Sequence, residues 1–240
     1  MWKQNKLKRI DSTQKEAIRK IKDRKITKPE YFLSFDQFNG YGTRGKKWEK
    51  CKHSFAITFV WSSSLSPKLS KTLLPILVSI KTVEALEKFS NLPCFTLALK
   101  WPNDLIKNNK KIGGVIVQTV NYHGNEWIVA GIGVNLIWDP PPINDYFGSL
   151  LKINEVDFSK EQLILLISES MKEFFDLVDV NDTIHQFNAR DIFKGKKVKI
   201  NFNKKEYFGK NCGIAENGGI CLEQQKGNSR IFKTGSLSLL

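Results

Sequence analysis

A chain of 240 residues, 41% of them hydrophobic, is long enough for one large domain plus a small one and for a sizeable buried core. No run approaches the roughly 18 to 20 apolar residues that a bilayer span requires, and Met1 to Lys8 carries charge without the apolar segment of a secretory signal, so a cytoplasmic protein is expected. The net charge of +14 fits an acidic protein partner, a nucleic acid or a solvated basic surface; its excess is mostly lysine spread along the chain rather than clustered arginine.

In chain order, Asp11-Ser12-Thr13-Gln14-Lys15-Glu16 predicts a helix start, with Thr13 and Glu16 at capping-box spacing and Ala17, Ile18 and Ile21 as the apolar stripe. Tyr31 to Phe35 and Ser54 to Trp61 predict strands. Lys68 to Asn91 predicts a long amphipathic helix that Pro75 could kink. Strands follow over Thr96 to Lys100, Ile112 to Val120 and Glu126 to Leu136, then a Pro-rich loop from Trp138 to Pro142. Ser159 and Gln162 open a second long helix predicted to run through Val180. After Asp191 the pattern changes to short strands between Gly and Asn turns, over Lys197 to Phe202, Glu206 to Ile214, Gly219 to Glu223 and Arg230 to Lys233. That reads as a small β-barrel of about fifty residues. The expected division is therefore 1–190 and 191–240.

Cys51, Cys94, Cys212 and Cys221 form no CxxC pair, and no histidine stands at metal-ligand spacing from them; free thiols are expected, with a Cys212–Cys221 bridge the alternative. His53, His123 and His185 belong to no Ser-His-Asp or Cys-His pattern and read as ordinary histidines.

Gly40-Tyr41-Gly42-Thr43-Arg44-Gly45 matches GxGxxG, but the dinucleotide reading needs a helix directly after the loop and an acidic residue about twenty positions on. Here a strand follows instead. The loop still suits an anion, because glycines let backbone N–H groups approach a phosphate and Arg44, Lys46 and Lys47 add charge. A surface turn with solvated lysines is the bland alternative. Further on, Lys100-Trp101-Pro102-Asn103-Asp104 precedes Lys111-Ile112-Gly113-Gly114, and Gly131-Ile132-Gly133-Val134-Asn135 repeats the glycine theme. One glycine pair in a strand reads as a bulge or tight packing. Two neighbouring strands cleared of side chains read as a buried ligand slot.

These blocks resemble the bacterial biotin–protein ligases over essentially the whole length. They are Asp11-Ser12-Thr13, Gln37-x-x-Gly40-x-Gly42-x-Arg44-Gly45-Lys46-Lys47-Trp48, Lys100 to Asp104, Lys111-x-x-Gly114 and Gly131-x-Gly133-x-Asn135. The resemblance implies an α+β fold, a mixed β-sheet with helices packed on it as in class II synthetases, plus a C-terminal SH3-like barrel. It implies a biotin–[acetyl-CoA-carboxylase] ligase that makes biotinyl-AMP from biotin and ATP with Mg²⁺ and passes biotin to a lysine of a biotin carboxyl carrier protein. The chain starts just before the Asp-Ser-Thr block, so the repressor members' helix-turn-helix and specific DNA binding are not expected; a homodimer stays open.

By position, the resemblance implies that Ser12, Thr13 and Gln37 bond the ureido head of biotin, and that Gly40, Gly114, Gly131 and Gly133 line its slot. Arg44 and Lys111 would reach biotin, and Lys111, Arg44, Lys46 and Asp104 would act in catalysis. Lys46, Trp48, Asn103, Asn135 and Trp138 would hold ATP, and no metal ligands are implied. The family's loop carries arginines where this chain has Tyr41, Thr43 and Lys46; Thr43 drops a charge, which predicts a weaker clamp on the adenylate. Two rivals remain. A lipoate or octanoate ligase needs a long apolar slot, which Ser12, Thr13 and Gln37 disfavour. A non-catalytic biotin-binding module is disfavoured by Lys111 and Asp104.

Overall fold

The computed structural model describes residues 2–49, 51, 53–66, 70–138, 144–155, 158–175, 179–224 and 228–240, without the side chains of Arg44 and Phe175. The first elements are β1 (Lys3–Leu7), α1 (Thr13–Lys22), β2 (Glu30–Ser34), β3 (His53–Ser62), α2 (Leu74–Phe89), β4 (Ala98–Lys100), β5 (Asp104–Lys107), β6 (Lys110–Tyr122) and β7 (Asn125–Ile137). Their strands form one sheet in the order β1-β2-β3-β7-β6-β5-β4. The β1–β2 pair is parallel and every other pair antiparallel.

Period-2 alternation divides this sheet into two faces. One face sends Ile57, Phe59, Trp61, Val115, Ile128, Ala130, Ile132 and Val134 into the main core, where α2 and α3 (Lys160–Ser170) cover it. The opposite face carries Phe32, Val60 and Val129, which pack under Ala17 and Ile21 of α1. Helix α1 covers only part of that face, and its N-terminus ends over the middle of the sheet.

The chain continues through a 3-10 turn (Met171–Phe175) and α4 (Val180–Arg190). It then runs into β8 (Lys197–Phe202), β9 (Lys205–Ile214), β10 (Ile220–Glu223), β11 (Ser229–Phe232) and β12 (Ser236–Leu239). These strands form a second, antiparallel sheet in the order β11-β10-β9-β8-β12. Buried polar groups tie α4 to α2, and β9 to the residue that ends α4. Arg190 bonds both oxygens of Glu87 at 2.8 and 3.0 Å, Glu87 also accepts from the Leu97 N–H, and Asn211 donates to Asp191 at 2.7 Å. Such a buried pair gives about 3–5 kcal/mol of damage when one partner is removed, because the other charge is stranded. Trp101, 1% exposed, donates its indole N–H to Gly218 O at 3.0 Å.

Several expectations need correction. The α1 cap is Ser12, whose hydroxyl accepts from Lys15 N, and Glu16 pairs with Arg19 and Lys20, so the expected capping box of Thr13 and Glu16 does not form. Helix α2 starts at Leu74; Pro75 sits in its first turn, where its missing N–H breaks no bond and produces no kink. Residues 68 and 69 of that predicted helix lie outside the described residues. The second long helix stops at Ser170. Asp179, accepting from Asn181 N and Asp182 N, caps a separate α4. Strands β1, β5 and β12 were not anticipated: β1 is polar at an edge, where lysines discourage further pairing, and β5 and β12 have four residues each. All four cysteines are free, and burial pushes the Cys51 thiol up to about 11.

Candidate active site

A cavity of about 440 Å³ opens on the sheet face that α1 leaves bare. Its floor follows from register. Gly133 lies between Ala56 of β3 and Gly114 of β6, and Gly131 lies between Thr58 and Ile116. Three glycines on one face of two paired strands leave a flat strip of backbone. Gly113 belongs to the other face, where an added Cβ would meet Gly133 O at 2.8 Å and Leu105 at 2.9 Å, so its smallness serves packing. Above the floor lies Trp48: its ring would touch a Cβ at Gly133 at 3.1 Å and one at Gly114 at 3.6 Å.

One end of the cavity is polar and uncharged. Gln37 Oε1 accepts from Thr13 N at 2.9 Å and Thr13 Oγ1 at 3.2 Å, and Thr58 Oγ1 donates to Thr13 Oγ1 at 2.9 Å. Gln14 Nε2 bonds Gln118 Oε1 and Val129 O, and Tyr41 OH donates to Gln118 Oε1 at 3.1 Å. Ser12, Thr13 and Gln14 are all at most 3% exposed, because the first turn of α1 sets them against the sheet. Ser12, Thr13 and Gln37 therefore come together as expected, while Gln14, Thr58, Gln118 and Tyr41 are additional.

The opposite end is charged. Asp104, at the start of β5, takes Lys111 Nζ on Oδ1 at 2.5 Å and the Tyr146 hydroxyl on Oδ2 at 3.0 Å. Lys100 Nζ lies 3.9 Å from Oδ2 and donates to Tyr146 OH at 3.3 Å. Desolvation pushes the Lys100 ammonium below its ordinary value; Lys111 and Lys46 act in the same sense and Asp104 opposes them. Lys46, Lys47 and Trp48 reach this end from a hairpin in which Tyr41 pairs with Lys47 and a 3-10 turn (Thr43–Gly45) forms the tip. Thr234, Gly235, Ser236 and Leu237 of the second sheet also line the cavity.

Other predicted residues sit differently. Asn103 uses its amide nitrogen on the Val115 carbonyl, tying the β4–β5 turn to β6. Gly40 is buried against Gln37, where a Cβ would collide with the amide. Asn135 lies outside the lining; it is 1% exposed, donates to Gly148 O at 3.4 Å and leaves its Oδ1 without a partner. Trp138 stacks on the lining residue Phe147 at 5.9 Å, one layer back. The side chain of Arg44 lies outside the described residues, as do 139–143, the proline loop. The three histidines are absent from the lining among the described residues, and those residues contain no group of three or more His, Cys, Asp or Glu side chains placed to hold a metal ion.

Fold and site together define an α+β protein with a small-molecule pocket, flat-floored, neutral at one end and cationic at the other. Residues 7–135 match the biotin/lipoate A/B protein ligase family, and the chain belongs to it. The bifunctional ligase/repressor BirA of Escherichia coli is 25% identical over 96% of this chain and 72% of its own length. The biotin–[acetyl-CoA-carboxylase] ligase of Paracoccus denitrificans is 32% identical over 56% of this chain and 55% of its own. A biotin protein ligase R40G mutant from Aquifex aeolicus, solved with biotin, superposes with a TM-score of 0.80 at 25% identity over the whole of both chains. No described helix is long and apolar enough to cross a membrane.

Proposed function

We infer that the protein activates biotin with ATP to biotinyl-AMP and transfers biotin to a lysine of a biotin carboxyl carrier protein. One observation carries the reading: the three-glycine strip runs from a neutral hydrogen-bonding end to a cationic end. Trp48 and Gln14 cover that strip in this structure, and a fused bicyclic ring lies flat on it once they draw back. Its ureido group meets hydroxyls and amides that can donate and accept without charge, and its carboxylate tail points at Lys111. The biotin ligases named among the relatives support the same choice within the family.

The first reaction joins two anions, so charge repulsion dominates its barrier. Lys111 and Lys46 neutralise charge where the biotin carboxylate attacks the α-phosphate and pyrophosphate leaves. Arg44 belongs to the same assignment through its place in the loop; Lys46, Trp48 and Asn103 are assigned to the nucleotide side, with Asn135 and Trp138 behind the lining as supports for Gly148 and Phe147. Among the described residues Asp104 and Glu49 are the carboxylates lining the cavity, too few for a protein cage. This suits Mg²⁺ that arrives on the triphosphate and supplies further charge neutralisation there. In the second reaction the amine of the acceptor lysine attacks the mixed anhydride. AMP leaves, and no enzyme nucleophile takes part. We place the catalytic unit at 1–190 and the small unit at 191–240.

Pyrophosphate exchange run with biotin and with lipoate side by side tests this. Exchange that depends on biotin, followed by ATP-dependent labelling of a carrier domain, is the expected result. Exchange with lipoate alone would move the protein to the other branch of its family, and biotin binding without exchange would make it a sensor.

A further inference from the structure

Segment 144–151 crosses the charged end as a strap. Lys111 N donates to Tyr146 O at 2.8 Å and Gly148 N to Lys111 O at 2.9 Å, while Leu150 N and Leu151 N donate to Asn135 O and Leu136 O. The strap is thus pinned to β6 and β7, and the same residue, Lys111, fixes the backbone of Tyr146 and binds Asp104 through its ammonium. The two oxygens of Asp104 are divided, Oδ1 to Lys111 and Oδ2 to Tyr146. Lys100 Nζ donates into the phenol oxygen, which turns the phenol proton toward Asp104.

An anionic substrate at this end competes with Asp104 for Lys111. Once Lys111 moves to it, the carboxylate loses its closest partner and is free to rotate unless something else holds it. We propose that Tyr146 is a positioning residue for the transfer reaction, holding Asp104 by Oδ2 so that Oδ1, released by Lys111, accepts a proton from the ammonium of the incoming lysine. The inference rests on the biotin-ligase reading. In the step, the ammonium proton goes to Asp104 Oδ1. The freed nitrogen lone pair forms the C–N bond to the acyl carbon, and the C–O bond to the phosphate breaks with its electron pair leaving on AMP. The amide nitrogen releases its second proton to water.

The charged and titratable groups facing Asp104 are Lys111 from β6, Lys100 from β4 and Tyr146 from the strap, with Lys46 acting on Lys100 from the hairpin. Burial, and then Asp104, push the Tyr146 phenol above its ordinary value, so it stays a donor throughout the working pH range.

The test uses the full chain and Tyr146→Phe, which removes one hydroxyl from a residue 41% exposed. Adenylation is read by biotin-dependent pyrophosphate exchange, and transfer by single turnover of preformed biotinyl-AMP onto a biotin carrier domain across carrier concentrations. The ratio of transfer to adenylation is expected to fall about tenfold, the size of one hydrogen bond to a charged group. The loss should fall on the transfer rate at saturating carrier domain, with KM for the carrier changed much less, because the hydroxyl orients Asp104 and does not bind the carrier. Tyr146→Leu should act in the same direction. Equal slowing of both reactions, a loss confined to KM for the carrier, or no change in either reaction would overturn the positioning role alone. Absence of biotin-dependent exchange in the wild type would remove the ligase reading and this inference with it.

Discussion

The two ends of the cavity share one floor and differ in almost everything else. The neutral end is built from residues buried by α1 and satisfied by one another: Gln37 with Thr13, Thr58 with Thr13, Gln14 with Gln118. The charged end is built from longer side chains on separate elements, and its carboxylate is already paired with the lysine that chemistry needs. A substrate enters the first by exchanging neutral hydrogen bonds, each a small net change. It enters the second by pulling Lys111 off Asp104, a competition between anions. The neutral end thus suits recognition, and the charged end suits a site whose state changes between two reactions.

Mutations should separate the two ends. Lys111→Ala should lower biotin-dependent pyrophosphate exchange on the order of 10²-fold or more, the cost of one preorganised charge donor, while calorimetry shows a smaller loss of biotin affinity. Near-normal exchange would erase the contrast between the ends. Gly131→Val is the next largest. Its Cβ would collide with Gln14 Oε1, raising the floor and displacing a polar-end residue together. Overpacking of this kind costs about 1–3 kcal/mol, so biotin should bind roughly ten- to a hundredfold more weakly while ATP binding by itself is largely kept. An equal loss for both ligands would mean that the whole sheet had shifted.

Gln37→Ala should have a milder effect. It removes the acceptor for both the N–H and the hydroxyl of Thr13, and one neutral hydrogen bond to substrate is worth about 1 kcal/mol. KM for biotin should rise about fivefold, with a smaller change in kcat, as expected when binding common to ground and transition states is lost. A kcat effect exceeding the KM effect would place Gln37 in the chemistry instead.

Much of this site could be read in the sequence because its residues lie close together in the chain. Lys100 to Asp104 with Lys111, and the glycines of β6 and β7, each sit on one turn or two paired strands, so spacing put them together, whereas the resemblance to the ligase family added Ser12-Thr13 to them. Gln14 stands in the predicted helix start with no motif to mark it, although it follows Thr13 directly and bonds Val129 O and Gln118 at the same floor. Thr58 and Gln118 had a signal that went unused: Thr58 stands two residues from Ala56, and Gln118 two from Ile116 and four from Gly114, which puts both on the glycine face. Tyr146 and residues 234–237 had none, since nothing local tells which loop returns over a distant turn. The helices were legible in their apolar stripes and less so in their ends, where Asp179 opens a helix inside a stretch that periodicity had read as continuous.

The smallest expected effect concerns the loop that serves both ends. From the hairpin of Gly40 to Trp48, Tyr41 reaches Gln118 in the neutral half while Lys46 lines the charged half. Thr43 sits at its exposed tip and lines the cavity, a neutral side chain where the resembled family carries arginine. An arginine there would add a planar donor fork able to grip a phosphate bidentately. The exposed position limits the gain to about 0.5–1 kcal/mol through screening. Thr43→Arg should therefore retain biotinyl-AMP about two- to fivefold longer. With biotin, ATP and albumin as a bystander, the wild type should label albumin more than the variant does, with carrier labelling affected much less. Equal bystander labelling would mean that retention of the adenylate depends on Lys46 and Trp48 rather than on charge at the hairpin tip.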